Sequence, residues 1–160
     1  MSETRSMHVL LVCSGNTCRS PMAEAVLRSK LDRDPDLAGV VVGSAGTGAW
    51  DGTPASEGAY LVALERGLDL SEHRARALTA DQVRDADLIL TMTEAQARRV
   101  AEAGGEQKVH LLGEFAGNPE GSREVPDPMG GDVADYRDVL TLLDELLTRA
   151  VERIRAERRR

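Results

Sequence analysis

At 160 residues the chain is long enough for one domain with a proper core and too short for two. Its 41% hydrophobic and 29% charged content excludes the disordered, collagenous and membrane-embedded classes. An aromatic share of 2% and a formal charge of -7, with basic residues scattered except at Arg158, Arg159 and Arg160, offer nucleic acid neither a stacking platform nor a basic stripe.

The first apolar run, residues 7–12 (MHVLLV), is interrupted by His8 and bounded by a glycine-containing loop, as a short buried strand is. It is too short for a signal-peptide core, and no stretch approaches the roughly 18 apolar residues of a membrane span, so the chain reads as cytoplasmic. Next comes a helix to about residue 31, with Ser20 as N-cap, Pro21 at the first helical position and Glu24 in the first turn. A second strand at residues 40–45 leads through a loop at 46–53 into a helix over 54–66, closed by Gly67. A third strand covers 87–92, and Thr93 caps a helix that stops at Gly104 and Gly105. The fourth strand, 108–112, is followed by a long loop over 113–131. From Val133 the apolar residues Tyr136, Val139, Leu140, Leu143, Leu146, Leu147, Ala150, Val151 and Ile154 recur at spacings of three and four, the stripe of a helix lying on the sheet. Residues 1–6 and 157–160 are expected to be flexible ends of this single domain.

Strands alternating with helices predict an α/β three-layer sandwich with a parallel sheet covered on both faces. Ligands bind such sheets outside the carboxyl ends of the strands. The loops that follow the four strands should therefore share one edge, and the chemistry should lie there.

The segment Cys13-Ser14-Gly15-Asn16-Thr17-Cys18-Arg19-Ser20-Pro21 leaves the first strand for a helix N-terminus and has the form C-x5-R-S. The pattern alone is weak in a chain whose 20 basic residues are mostly arginine, and a buried structural cysteine in a turn is the plainer alternative. Its context adds weight, because a strand feeding a loop and then a helix directs successive N–H groups, and the helix dipole, at one spot that suits a phosphate. There Cys13 would be the nucleophile, reacting as its thiolate. A helix terminus contributes only about 0.3–2 kcal/mol toward an anion, so loop amides and the Arg19 guanidinium must supply the rest. Ser20 can donate its hydroxyl to the sulfur, and the planar fork of Arg19 matches two oxygens of a phosphoryl group. Gly15 permits close backbone approach, and Asn16 tolerates a left-handed conformation.

The string VCSGNTCRSPMAEAVLR resembles the signature of the low-molecular-weight protein tyrosine phosphatases and of their bacterial relatives, the protein arginine phosphatases. The similarity continues through SAGTGAWDGTPA, HRARALT, DADLILTMT and VPDPMGGDVADY, in the family's order and over nearly the whole chain. The resemblance implies a four-stranded sheet in the order 2-1-3-4. It also implies a cysteinyl-phosphate mechanism with Ser14, Gly15, Asn16, Thr17, Cys18 and Ser20 as the phosphate-binding loop and no metal or cofactor. The sparse histidines, His8, His73 and His110, likewise make no case for zinc.

Such a mechanism needs a general acid, and Asp127, between two prolines in the loop after the fourth strand, is the candidate that the resemblance selects. Taken alone, Asp127-Pro128 would be only a turn. Met129 stands where the family commonly has an aromatic residue. Trp50 resembles the position that lines the family's cleft, able to stack on a phenyl ring or a guanidinium plane, with a loop anchor as the alternative. Ser44, at the end of the second strand, can brace the phosphate loop through Asn16 or His73, and His73 resembles a supporting histidine of the family. Tyr136 should pack the last helix near the acid loop.

Thr17 bears on the substrate. Tyrosine-specific relatives usually carry a branched apolar residue there, whereas the arginine phosphatases resemble this chain in carrying Thr. A hydroxyl can pair with a guanidinium N–H, which an apolar residue would leave unpaired at a cost of about 1–3 kcal/mol. Phosphoarginine is therefore favoured over phosphotyrosine, with a monomeric phosphatase acting on phosphorylated proteins. Two other classes stand beside it: a thiol-coupled arsenate reductase, since related reductases share the fold and loop, and a phosphopeptide-binding module without turnover. Cys18 could close a reversible disulfide with Cys13 that protects the nucleophile, or be inert packing.

Overall fold

The computed structural model describes residues 6–117 and 123–159. Four parallel strands, β1 (Met7–Cys13), β2 (Val40–Gly46), β3 (Leu88–Thr91) and β4 (Val109–Leu111), form one sheet in the order β2-β1-β3-β4, as the resemblance implies. The register pairs Cys13 with Gly46 and Val12 with Thr91, so the carboxyl ends of the three strands lie level on one edge.

Helix α1 (Arg19–Asp32) follows β1, and α2 (Glu57–Glu65) follows β2. The others are α3 (Ala80–Asp85), α4 (Glu94–Val100), α5 (Leu112–Phe115) and α6 (Val133–Arg158). The period of two along β1 distributes its side chains between two cores. Val9, Leu11 and Cys13 face the larger core, built with α1, α2, α5 and α6, while Leu10 and Val12 face the smaller one, closed by α3 and α4. Every apolar residue of the α6 stripe is buried. No helix among the described residues is long and apolar enough to cross a membrane.

Several boundaries differ from expectation, each for a local reason. Helix α1 begins at Arg19 with Cys18 as N-cap, so Ser20 is not a cap and Glu24 lies beyond the first turn; the Ser20 hydroxyl is engaged by Cys13 and Asn16 instead. Helix α2 starts after Ser56, whose side chain accepts from Ala59 N, whereas Pro54 bridges to Arg74 in extended conformation. Strands β3 and β4 are shorter than predicted. Helix α3 was not anticipated: it has six residues and a single buried one, Val83, too few for a visible period, although Thr79 and Gln82 form a reciprocal cap at its start. The loop expected at 113–131 opens with α5, and α6 continues through Arg158, into the stretch expected to be loose. Residues 1–5, 118–122 and 160, which share in the predicted ends and loop, lie outside the described residues.

Candidate active site

The chain leaves β1 at Cys13 and folds tightly against the end of β2. Thr47 N donates to Cys13 O at 3.0 Å and Gly48 N to Ser14 O at 2.9 Å. This proximity requires a glycine at position 46, since a Cβ there would fall 2.5 Å from Ser14 O and 2.9 Å from Asn16 N. Gly15, expected to serve that purpose, does not: a Cβ there would meet only Thr17 Oγ1 at 3.5 Å, an ordinary contact. Asn16 does take the left-handed conformation, with φ at 56°.

Asn16 is fully buried and every polar atom of its side chain is used. Its Oδ1 accepts from Arg76 N at 2.9 Å, which fixes the amide's orientation. Nδ2 then donates to Ser20 Oγ at 2.7 Å and to Ser44 Oγ at 3.0 Å. Ser44, the brace expected from the sequence, donates onward to Glu24 Oε1 at 2.5 Å. His73 Nε2 donates to the Asn16 carbonyl at 2.7 Å. Because Ser20 Oγ accepts from Asn16, its own hydrogen is available for Cys13 Sγ, 2.9 Å away, and Asn16 N donates to the same sulfur at 3.2 Å. The network thus presents two hydrogen-bond donors to the Cys13 sulfur.

Among the described residues, the backbone N–H groups of Ser14, Gly15, Thr17, Cys18 and Arg19 donate to no protein acceptor. Such a set at a helix N-terminus has the donor geometry that suits an anion. Arg19 is 5% exposed, and its Nη1 donates to Val125 O at 3.0 Å. Its Nη2 lies 3.7 Å from Asp127 Oδ2, which brings the predicted acid to the predicted arginine. The other carboxylate oxygen of Asp127 accepts from Met129 N at 3.0 Å, an Asx turn that aims the side chain. Beside it, residues 126–131 and the start of α6 line a groove of about 470 Å³.

The remaining predicted residues surround this centre. Trp50 is 83% exposed, so it is no loop anchor, and Met129 is 58% exposed. Thr17 is half-buried, with its hydroxyl 3.7 Å from Cys18 Sγ. Cys18 Sγ lies 3.1 Å from Ser56 Oγ and 3.8 Å from Tyr136 Oη, and both cysteines are free thiols. Tyr136 is buried under the site, and that burial pushes its phenol above its ordinary pKa. Its ring needs glycine at position 58, where a Cβ would come within 2.5 Å of it.

Four residues of the site escaped the sequence reading: Gly46, Glu24, Arg76 and Gln96. Gln96 is 2% exposed on α4 and donates from Nε2 to Ser14 Oγ at 3.0 Å. Its visible signal is the T-x-x-Q spacing from Thr93, which marks a reciprocal helix cap. Among the described residues, no His, Cys, Asp and Glu side chains gather in a set able to hold a metal ion.

Residues 8–160 match the family model described as low molecular weight phosphotyrosine protein phosphatase. The chain is 39% identical to the probable low molecular weight protein-tyrosine-phosphatase EpsP of Ralstonia solanacearum, over 92% of this chain and 96% of that one. It is 36% identical to the protein-arginine-phosphatase of Geobacillus stearothermophilus, over 93% and 97% of the two chains. A solved structure of YwlE arginine phosphatase, a Cys-to-Ser variant with a phosphorylated active-site serine, superposes with a TM-score of 0.87 at 33% identity, covering 96% of this chain and 99% of that one. None of these three is a reductase by name.

Proposed function

The chain belongs to the low molecular weight phosphotyrosine protein phosphatase family, and we propose that within it this protein hydrolyses phosphoarginine side chains of proteins through a phosphorylated Cys13. One observation supports the chemistry above all others: Cys13 Sγ has Ser20 Oγ at 2.9 Å and Asn16 N at 3.2 Å, in a loop with five further N–H groups free for an anion. A thiolate so placed attacks phosphorus, forming an S–P bond as the P–N bond to the substrate guanidine breaks. Asp127 gives its proton to the departing nitrogen, while Arg19 and the loop amides hold the phosphoryl oxygens. Asp127, now ionised, takes a proton from a water molecule that attacks the same phosphorus. The S–P bond breaks, phosphate leaves, and Ser20 steadies the returning thiolate.

The choice of substrate rests on Thr17. Relatives named for tyrosine and for arginine stand at 39% and 36% identity, so overall similarity does not decide. The Thr17 hydroxyl has only the weak Cys18 thiol contact at 3.7 Å, leaving it able to accept from a guanidinium N–H. Phosphotyrosine is the second reading, favoured by the EpsP relative. We place the protein as a monomer in the cytoplasm, a reducing compartment that keeps Cys13 and Cys18 as thiols. Under peroxide the two could join in a disulfide that spares the nucleophile from further oxidation.

The test compares kcat/KM on phosphoarginine and phosphotyrosine peptides, in the unaltered protein and in Thr17→Ile. The arginine substrate should be preferred, and the replacement should cut its kcat/KM by about tenfold or more, the value of one buried unpaired donor, while sparing phosphotyrosine. Preference for phosphotyrosine, unchanged by the replacement, would overturn the substrate assignment and leave the phosphatase intact.

A further inference from the structure

The side chain of Gln96 does more than complete the reciprocal cap at the N-terminus of helix α4. Its Oε1 accepts from Thr93 N at 3.0 Å and from Met92 N at 2.9 Å. With the oxygen held by two backbone donors, the NH2 group is fixed toward Ser14 Oγ at 3.0 Å. Ser14 adjoins Cys13 in the chain. On the other side, the carbonyl of Met92 accepts from Val125 N at 2.9 Å, and Val125 O accepts from Arg19 Nη1 at 3.0 Å. Val125 stands two residues before Asp127, with Pro126 stiffening the link. The hydrogen bonds therefore run from Ser14 through Gln96, Met92 and Val125 to Arg19, joining the loop that carries the nucleophile to the loop that carries the acid.

We propose that Gln96 is a positioning residue that sets the placement of the acid relative to the nucleophile; the proposal rests on the phosphatase reading above. Gln96 touches neither sulfur nor substrate. It acts by holding Ser14 and Met92 at one separation, and through Met92 the strand of chain that presents Asp127. Leucine at position 96 would leave Ser14 Oγ without that donor and Met92 N with only Val12 O, 3.2 Å away. A displaced acid costs most where the leaving group most needs its proton, which gives the role a signature that plain loss of packing lacks.

Rates of the unaltered protein and of Cys13→Ser on 4-nitrophenyl phosphate and phenyl phosphate, measured first, decide the phosphatase reading by themselves. Gln96→Leu should then lower kcat/KM about tenfold or more on phenyl phosphate and only about twofold on the nitrophenyl ester, whose leaving group departs with little protonation. Ser14→Ala, at an exposed position, should shift the two substrates apart in the same direction and by less. It decides the matter should Gln96→Leu fail to fold. In an Asp127→Asn background the extra loss on phenyl phosphate should vanish, because there is no acid left to misplace. An equal loss on both esters, or an undiminished difference in the Asp127→Asn background, would overturn the role of Gln96 while leaving the phosphatase reading standing.

Discussion

The two halves of the site are built to different tolerances. Around Cys13 the structure is over-determined: Asn16 and Ser20 are fully buried, and hydrogen bonds from β2, α1 and the His73–Arg76 segment converge on them. Around Asp127 it is sparse. That side chain is 53% exposed and is held by one turn hydrogen bond and a 3.7 Å approach to Arg19. In the proposed mechanism the difference follows from what each group must do. An anionic nucleophile has to be stabilised by donors that cannot turn away, which a buried, fully bonded network provides. A general acid has to exchange protons with water and needs only to point the right way.

Substitutions on the two sides should therefore separate chemistry from stability. Asp127→Asn should lower turnover on phenyl phosphate by about 10²–10³-fold, the usual value of a general acid, with binding of inorganic phosphate and Tm nearly unchanged. An unaltered rate would remove Asp127 from the mechanism, and a collapse in Tm would show the acid loop to be as structural as the phosphate loop. Asn16→Gly, which keeps the backbone freedom that φ of 56° demands, should damage both properties. Losing the buried amide leaves the Arg76 N–H without its acceptor and two serine oxygens without a donor, about 2–4 kcal/mol or roughly 5–15 °C in Tm, with a rate loss of about tenfold or more as Ser20 is released. Retained stability with normal rates would mean that the rigidity around Cys13 is incidental.

The same contrast explains how much could be seen in advance. The strands show as short apolar runs because both faces of the sheet are buried, and the α6 stripe shows because one long helix covers the larger core. The proposed catalytic residues Cys13, Arg19 and Asp127 stand in local sequence motifs. Gly46 and Gln96 do not. Each matters because of a residue about thirty or eighty positions away, Asn16 and Ser14 respectively, and a contact between positions so far apart along the chain leaves no local trace. Ser20 was misread as a cap for a related reason. Its pattern with Pro21 is a good cap signal, and the thiol at 2.9 Å outbids the helix for the hydroxyl. Helix α3 shows the opposite failure: its reciprocal cap was legible in Thr79 and Gln82, but six residues with one buried side chain leave no period to read.

A third region, outside the hydrogen-bond networks of both loops, gives the smallest effect and sharpens the comparison by serving as its control. His110 on β4 is half-buried, with its ring 5.4 Å from Phe115, whose face carries the Arg153 guanidinium at 4.1 Å. Burial first, and the charge of Arg153 second, hold its pKa below the ordinary 6.5, against a smaller opposing pull from Glu157 and Glu114. The folded state thus takes up a proton less readily than the unfolded chain, so the unfolded chain binds more protons as the pH drops below about 6.5, and stability is lost in that direction. His110→Gln removes the titrating group. The fall in Tm between about pH 7.5 and about pH 5.5 should be smaller in the variant than in the unaltered protein, with activity at neutral pH the same in both. An identical fall in the two proteins would assign the acid sensitivity elsewhere. A changed neutral rate would instead tie the β4 edge to the catalytic loops, a link that the hydrogen-bond chain through Gln96, Met92 and Val125 does not include.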